Sequence, residues 1–355
     1  MTRTNRVPIG GTLPHVAGVR VGHSHRRSAG WQTGTTVVFV PGGAVAAVDV
    51  RGGGPGTRET DALDPRNVVD RIHAVCLTGG SAYGLSAADG VMTFLEARGL
   101  GVRVGAASNE VVPVVPTAVI FDLGRGGQFN NRPDASFGAR AAAAARPHRI
   151  RRGSVGAGTG AVAGGLQGGV GMASLPIDLG GRSITVSALA VVNSIGSVID
   201  PITGLPWLPT AGLRRPSRAD RHALAAVVAL PPPSLNTTIG VVCTDAEITR
   251  AEAGRMAMSA HDGLARAVRP AHLMMDGDTI FALSTGNMAF ATDEPTEQPR
   301  AETSRAALLS RLFAAAADVF GAACTDAVVS ASTISARLAY RDLCPSAFAR
   351  WARPT

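Results

Sequence analysis

Two short segments of the sequence carry residues that together suit a protein that cuts itself. Residues 235–240 read Leu-Asn-Thr-Thr-Ile-Gly, and residues 275–279 read Met-Asp-Gly-Asp-Thr. A break between Asn236 and Thr237 would give Thr237 a free α-amine beside its hydroxyl nucleophile. Because an α-amine has an ordinary pKa of about 7.7 to 8, it can accept the hydroxyl proton near neutral pH without any histidine.

The two aspartates of the second segment, Asp276 and Asp278, lie two positions apart. On an extended segment they would share one face, where they could orient the hydroxyl, the amine or the amino group of a substrate. Asn-Thr is also a common dipeptide, and Asp-Gly-Asp is typical of a plain turn. These residues alone therefore leave both interpretations open.

The composition indicates a globular protein without a nucleic-acid partner. The 355 residues are 45% hydrophobic, which suffices for one large core or two modest ones. Aromatic residues make up only 4%, too few to favour stacking of single-stranded bases. The formal net charge is +8. The arginines are scattered through the sequence, with one dense group at residues 146–152.

Metal and cofactor sites are not expected. His23 and His25 look most like metal ligands, but no acidic or histidine partner stands at a suitable spacing. The N-terminus has no apolar stretch of signal-peptide length, and no run approaches a membrane span, so we expect a cytoplasmic protein without membrane association. The four cysteines are widely spaced and are predicted to be free core thiols: Cys76, Cys243, Cys324 and Cys344.

The pattern of elements is mixed α and β throughout. Residues 35–50 predict a buried hairpin turning at Pro-Gly-Gly, and the glycine-rich turn at residues 49–61 is typical of a segment that holds another group. The other predicted elements are a strand at 73–77, a turn at 78–84, a helix at 85–98, a buried strand at 183–193, a mostly exposed connector at 201–235 with a short helix inside, a strand at 238–242, a helix capped by Thr249 and Glu252, a strand at 279–284, a polar loop at 287–302 and a helix at 304–320.

Two other enzyme motifs fail on spacing. A Gly-x-Ser-x-Gly elbow centred on Ser81 needs glycine at position 83, where the chain has Tyr83. The glycines at 156, 158 and 160 do not match Gly-x-Gly-x-x-Gly, and a chain without lysine has no phosphate-binding Gly-Lys pair. A serine hydrolase and a nucleotide-binding protein are both disfavoured.

Four segments, taken in order, resemble one family. Residues 49–60, 77–85, 156–160 and 236–239 are similar to the self-processing aminopeptidases, which include L-aminopeptidase/D-esterases, β-peptidyl aminopeptidases and nylon-oligomer (aminohexanoate oligomer) hydrolases. The resemblance extends from about residue 15 to about residue 340. Each segment alone is modest, but their ordered set is specific.

The resemblance implies a four-layer α/β/β/α sandwich in a single domain, residues 1–355. It implies autocleavage into a large subunit, residues 1–236, and a small subunit, residues 237–355, which assemble as a homotetramer of cleaved pairs. It further implies that Thr237 is the nucleophile, that Asn193 donates to the oxyanion, and that Asp276 and Asp278 are orienting carboxylates.

The implied activity is hydrolysis of amide bonds in short peptides, amino-acid amides or ω-amino oligomers through an acyl-enzyme. Small substrates with an N-terminal amine rank first, because two carboxylates could bind an ammonium group, and endo-hydrolysis of a nylon-like oligomer ranks second. Two alternatives stay open: an acyl transferase resembling ornithine acetyltransferase, although its usual Ala-Thr cleavage context is missing, and an uncleaved, non-enzymatic scaffold.

Two departures from the family pattern concern the substrate site. Nylon-oligomer hydrolases place a lysine near residues 165–167, and its charge must here be absent or replaced by an arginine such as Arg182. A tyrosine is expected where the chain has Phe121, and Tyr83 could supply the missing hydroxyl. We therefore expect Tyr83 and Phe121 to contact substrate.

Overall fold

A computed structural model describes residues 11–228, 235–290 and 304–349. Its strands are β1 (Arg20–Arg26), β2 (Thr33–Val50), β3 (Thr57–Arg58), β4 (Ile72–Thr78), β5 (Val102–Arg103), β6 (Val111–Val112), β7 (Thr117–Val119), β8 (Val162–Ala163), β9 (Leu166–Gln167), β10 (Gly169–Leu179), β11 (Arg182–Asn193), β12 (Thr237–Ala246) and β13 (Thr279–Met288). Its helices are α1 (Ser81–Gly84), α2 (Ala87–Glu96), α3 (Ala135–Ala143), α4 (Arg218–Val228), α5 (Arg250–Ala267), α6 (Arg305–Val329) and α7 (Tyr340–Leu343).

The long strand β2 links two sheets. Its first half pairs with β1 and β4, and its second half pairs with β13. The hairpin predicted for residues 35–50 is therefore wrong. Pro-Gly-Gly produces an irregularity between Phe39 and Ala44 within one continuous strand, because the two halves of β2 have different partners.

Four layers of secondary structure enclose three apolar cores, which confirms the predicted α/β/β/α sandwich. The helices α2 and α3 pack on the sheet of β1, β4 and β7, and α5 and α6 pack on the sheet of β10 to β13. The central core lies between the two sheets. In β12, Ile239 and Val241 face this central core while Val242 faces the helices, as the two-residue repeat of a strand requires.

Several local predictions are confirmed. Thr249 and Glu252 form a capping box at the start of α5, and the strands predicted around residues 73–77, 183–193, 238–242 and 279–284 are present. All four cysteines are free and buried. Part of the predicted connector, residues 229–234, and most of the predicted polar loop, residues 291–302, lie outside the described residues.

The helix α6 corrects one expectation. By length and composition alone it could span a membrane, although no run of that kind was predicted. In the fold, 83% of its most apolar window is buried against other parts of the protein. It packs on α5, β10 and β11, so its apolar character is used in the core.

Candidate functional site

The ends of three strands bring the predicted site residues together. Asn193 ends β11 and lies opposite Thr237, which begins β12, in the antiparallel ladder. The strands β12 and β13 are parallel, so the loop that precedes β13 lies beside the start of β12. A bridge between Asn236 and Asp276 continues this parallel pairing. Sheet topology thus joins residues that are about 40 to 80 positions apart in sequence.

Thr237 is buried, with only 5% of its surface exposed. Its hydroxyl donates a hydrogen bond to the carbonyl oxygen of Asn236, the residue directly before it. The backbone N–H of Gly277 donates to the same oxygen over 3.2 Å. The nucleophile predicted from sequence therefore touches the carbonyl group that it would attack, and a backbone donor is already bound to that carbonyl.

Asp278 holds the backbone next to Thr237. Its Oδ1 accepts from the Thr238 N–H (2.7 Å), and its Oδ2 accepts from the backbone N–H of His272 (3.1 Å) and pairs with His272 Nδ1 (2.8 Å). Both carboxylate oxygens thus have partners. Asp278 therefore fixes the backbone at the start of β12 rather than contacting the Thr237 hydroxyl directly.

Asp276 has one free oxygen. Its Oδ2 accepts from the Leu273 N–H (3.0 Å), whereas its buried Oδ1 has no hydrogen-bond partner among the described residues. Burial, and then the nearby charge of Asp278, raises the pKa of Asp276 to about 6. The group can therefore change protonation not far below neutral pH, as suits a carboxyl that takes part in acid–base chemistry.

The raised pKa of Asp276 predicts a pH-dependent stability. The native state holds the Asp276 proton up to about pH 6, whereas the unfolded chain releases it near the ordinary value of 3.8. The protonated Asp276 therefore stabilises the native state fully below pH 3.8. This contribution, up to about 3 kcal/mol in the free energy of unfolding, is lost as pH rises through 6.

Urea unfolding of Thr237→Ala and of Thr237→Ala/Asp276→Asn, at pH 4.5 and pH 7.5, tests this prediction on chains that are both predicted to stay uncut. We expect the second protein to gain stability relative to the first as pH rises. A difference that stays constant between the two pH values would contradict the prediction.

The glycine-rich turn that follows β2 grips the aspartate loop. The N–H groups of Arg51 and Gly52 donate to Asp278 O (2.9 and 3.3 Å), and the Gly54 N–H donates to Asp276 O (2.8 Å). A Cβ atom on Gly52 would lie 2.3 Å from Asp276 O, so only glycine fits there. The predicted holding turn thus holds the protein's own loop.

Asn193 is fully buried and joins the site to an arginine that sequence reasoning missed. Its Oδ1 accepts from the Val162 N–H (2.9 Å) and from Arg125 Nη1 (2.7 Å), and its Nδ2 donates to Phe121 O (3.2 Å). Arg125 also donates through Nη1 to Asn236 Oδ1 (3.4 Å) and through Nη2 to the carbonyl oxygen of Leu235. The Arg125 guanidinium therefore contacts both Asn193 and the segment that ends at Asn236.

Arg125, not Arg182, supplies the positive charge at this cluster. Arg182 is exposed at the start of β11, where it donates to Ala289 O (3.2 Å). Asn193 ends the same strand, roughly 36 Å away at about 3.3 Å per residue. The signal that could have revealed Arg125 is its place in a Gly-Arg-Gly-Gly turn, residues 124–127, a few residues after the strand β7.

Comparison with known proteins identifies the family. Residues 12–340 match peptidase family S58. The chain belongs to this family. An aminopeptidase of Mycobacterium tuberculosis (strain H37Rv), named as uncharacterized, is 47% identical over 353 residues, which cover 95% of this chain and 99% of that protein. The 6-aminohexanoate-oligomer endohydrolase of Kocuria sp. is 32% identical over 305 residues, covering 82% and 79%.

Solved structures share the fold of this S58 peptidase. The L-aminopeptidase D-Ala-esterase/amidase of Ochrobactrum anthropi, described as a variant of the Ntn-hydrolase fold, superposes with a TM-score of 0.72 at 20% identity over 99% of this chain and 98% of its own. A β-aminopeptidase of Burkholderia sp. gives 0.70 at 22% identity over 98% of both chains. The predicted family and its fold are confirmed, and the chain is a hydrolase of the aminopeptidase kind.

The two predicted substrate-binding residues of the S58 chain occupy different surroundings. Phe121 borders the cluster, since its carbonyl accepts from Asn193 and its ring lies 5.3 Å from the Arg125 guanidinium. Tyr83 is 54% exposed, and its ring lies 3.6 Å from the guanidinium of Arg132. Substrate contact by either residue stays a prediction.

Within the described ranges of the S58 chain, no group of three or more histidine, cysteine, aspartate or glutamate side chains could hold a metal ion. The two histidines that looked most like ligands have other partners: His23 Nδ1 is bonded to Thr36 Oγ1 (2.9 Å) and Nε2 to Arg151 O (3.1 Å), and His25 Nδ1 accepts from the Gly156 N–H (3.3 Å).

Proposed function

We propose that this S58 peptidase cuts itself between Asn236 and Thr237 and then uses Thr237 as an N-terminal nucleophile to hydrolyse amide bonds. The observation that carries the proposal is the contact of the Thr237 hydroxyl with the Asn236 carbonyl, together with the Gly277 N–H on that carbonyl oxygen. A hydroxyl beside a carbonyl that is already polarised by a backbone donor is arranged for intramolecular attack.

In self-cleavage, Thr237 Oγ1 bonds to the Asn236 carbonyl carbon and passes its proton on toward the Thr237 nitrogen. The Gly277 N–H stabilises the negative oxygen that forms. The C–N bond then breaks, leaving an ester between the two residues and a free amine on Thr237. Water hydrolyses the ester to give an Asn236 carboxylate and a free threonine hydroxyl.

In turnover, the α-amine of Thr237 accepts the hydroxyl proton while Oγ1 attacks the substrate carbonyl. The proton then goes to the leaving amine, and water hydrolyses the acyl-threonine ester. Asp278 keeps the start of β12 in place through the Thr238 N–H, and Asn193 holds Arg125 at the acyl side of the bond. Asn193 Nδ2 is the second candidate oxyanion donor once its bond to Phe121 exchanges.

The substrate amine has a natural place in this arrangement. In the uncut chain the Asn236 N–H donates to Met275 O (3.2 Å), one residue from the Asp276 carboxyl. An ammonium group in the position of that N–H would find both a carbonyl acceptor and a titratable carboxyl. Small amides with a free N-terminal amine are therefore the first proposed substrates, and the named activity of the Kocuria relative makes 6-aminohexanoate oligomers the second.

The test is turnover by the cut protein. We expect N-terminal sequencing of the smaller fragment to begin Thr-Thr-Ile-Gly, and the same preparation to release nitroaniline from amino-acid p-nitroanilides. Linear 6-aminohexanoate oligomers and acetyl transfer from N-acetylornithine to glutamate are assayed beside them. Acetyl transfer without hydrolysis would replace the hydrolase proposal, and a chain that is never cut would favour the scaffold.

A further inference from the structure

In the proposed self-cleavage, the residues just before Thr237 act as the first substrate of the site. The Asn236 carbonyl is the group that Thr237 would attack, so Leu235 and Asn236 occupy the place of the acyl half of any later substrate. Groups that contact these two residues mark the acyl-side subsite. Met275 O and the Gly277 N–H bind the backbone of Asn236, as in a strand pair, and carry no preference for its side chain.

Arg125 is the group that can select a substrate. It donates to the side-chain oxygen of Asn236 (3.4 Å) and to the carbonyl oxygen of Leu235, while its bond to Asn193 (2.7 Å) fixes its direction. The Phe121 ring supports the guanidinium at 5.3 Å. Both contacts with the segment are thus made to oxygen acceptors on the acyl side.

The charge of Arg125 is incompletely balanced. Among the described residues no carboxylate forms an ion pair with it within 4.0 Å. The buried Asp122 has a longer-range electrostatic effect on Arg125, and its oxygens accept from Thr33 Oγ1 (2.6 Å) and the Gly80 N–H (2.7 Å). A half-buried guanidinium without a close counter-ion is stabilised by any anionic or carbonyl oxygen that a ligand brings.

We propose that Arg125 forms an acceptor subsite and that preferred substrates carry a carboxylate or amide oxygen on the acyl group that is transferred to Thr237. Aspartyl and asparaginyl amides supply this oxygen from the side chain, in the place of Asn236 Oδ1. A lysyl side chain would bring a second cation to the guanidinium and is disfavoured. This inference rests on the proposed function.

The experiment compares kcat/KM for aspartyl, asparaginyl, leucyl, lysyl and N-acetyl-leucyl p-nitroanilides at pH 7.5. A ratio between two substrates is independent of the cut fraction, because both are measured on one preparation. We expect the aspartyl compound to exceed the leucyl compound at least about tenfold, as a charge-assisted hydrogen bond allows. The N-acetyl-leucyl compound, which has no free amine, is the control and should not exceed the leucyl compound.

Variants assign the preference to Arg125. Arg125→Gln should bring the ratio close to one and improve the lysyl compound relative to the leucyl one, whereas Arg125→Lys should keep part of the preference. Arg182→Gln, at the far end of β11, is the matched control and should change no ratio. A preference that survives in Arg125→Gln would overturn the inference.

The outcomes also separate this inference from the proposed function. Equal kcat/KM for the leucyl and aspartyl compounds in the natural protein would overturn the acceptor subsite while leaving the hydrolase intact, and this result does not depend on any variant maturing. A cut protein that hydrolyses none of the five compounds and no aminohexanoate oligomer would overturn both.

Discussion

Thr237→Ala is expected to remain a single chain of 355 residues, while the natural sequence yields two fragments that end and begin at Asn236 and Thr237. Alanine removes the side-chain hydroxyl that donates to the Asn236 carbonyl oxygen. Without that hydroxyl no ester can form, and without the cut no α-amine becomes free. Denaturing gels and intact mass should show complete loss of cleavage. The p-nitroanilide assay should show complete loss of amide hydrolysis.

Two further variants identify the hydroxyl as the cause. Thr237→Ser keeps the oxygen, so we expect it to be cut at the same bond, more slowly because a less constrained rotamer must find the attacking position. Thr238→Ala is the matched control: this neighbour is fully buried and its Oγ1 has no partner among the described residues. It should be cut as the natural chain is.

The pattern of results decides the mechanism. Cutting of Thr237→Ala at the same bond would contradict the nucleophile assignment, whether or not Thr238→Ala is cut. A natural chain that stays whole after prolonged incubation of folded protein would contradict self-cleavage itself, whatever the variants do.

Local pattern was sufficient to predict much of the fold. The β-branched runs and the Thr249 capping box gave most strand positions and the start of α5, because these signals depend on neighbours in sequence. The hairpin at residues 35–50 failed because only distant partners, β4 and β13, decide whether Pro-Gly-Gly turns the chain or merely bends it. No local signal carries that information.

The same distinction holds at the candidate site. Thr237, Asp276 and Asp278 stand in short motifs whose chemistry is visible in sequence, and Asn193 ends a strongly apolar strand. Arg125 was missed because its importance comes from contacts with residues 68 and 111 positions away. Gly277 was missed because its contribution is a backbone N–H, which every residue except proline possesses.

Asn193→Asp is expected to lower the rate of amide hydrolysis by roughly a hundredfold or more, the effect of losing one oxyanion donor. The change is isosteric and keeps both acceptor contacts, with the Val162 N–H and with Arg125. It removes the Nδ2 donor, leaves Phe121 O facing another oxygen and adds a negative charge beside the reacting carbonyl. A carboxylate would also pair with Arg125 and so weaken the acceptor subsite.

The control for a purely structural effect is Gln167→Glu, which makes the same amide-to-acid change at another fully buried residue. Gln167 Nε2 contacts three backbone carbonyls, those of Thr159, Ala161 and Gly168, so its loss should cost at least as much stability as the change at Asn193. Melting temperature and kcat of the cut fraction are measured for both. A low kcat in Asn193→Asp, with a smaller loss of melting temperature than in Gln167→Glu, assigns the effect to chemistry. Equal kcat values in the two variants would instead make Asn193 a packing residue and leave the Gly277 N–H as the donor that stabilises the oxyanion.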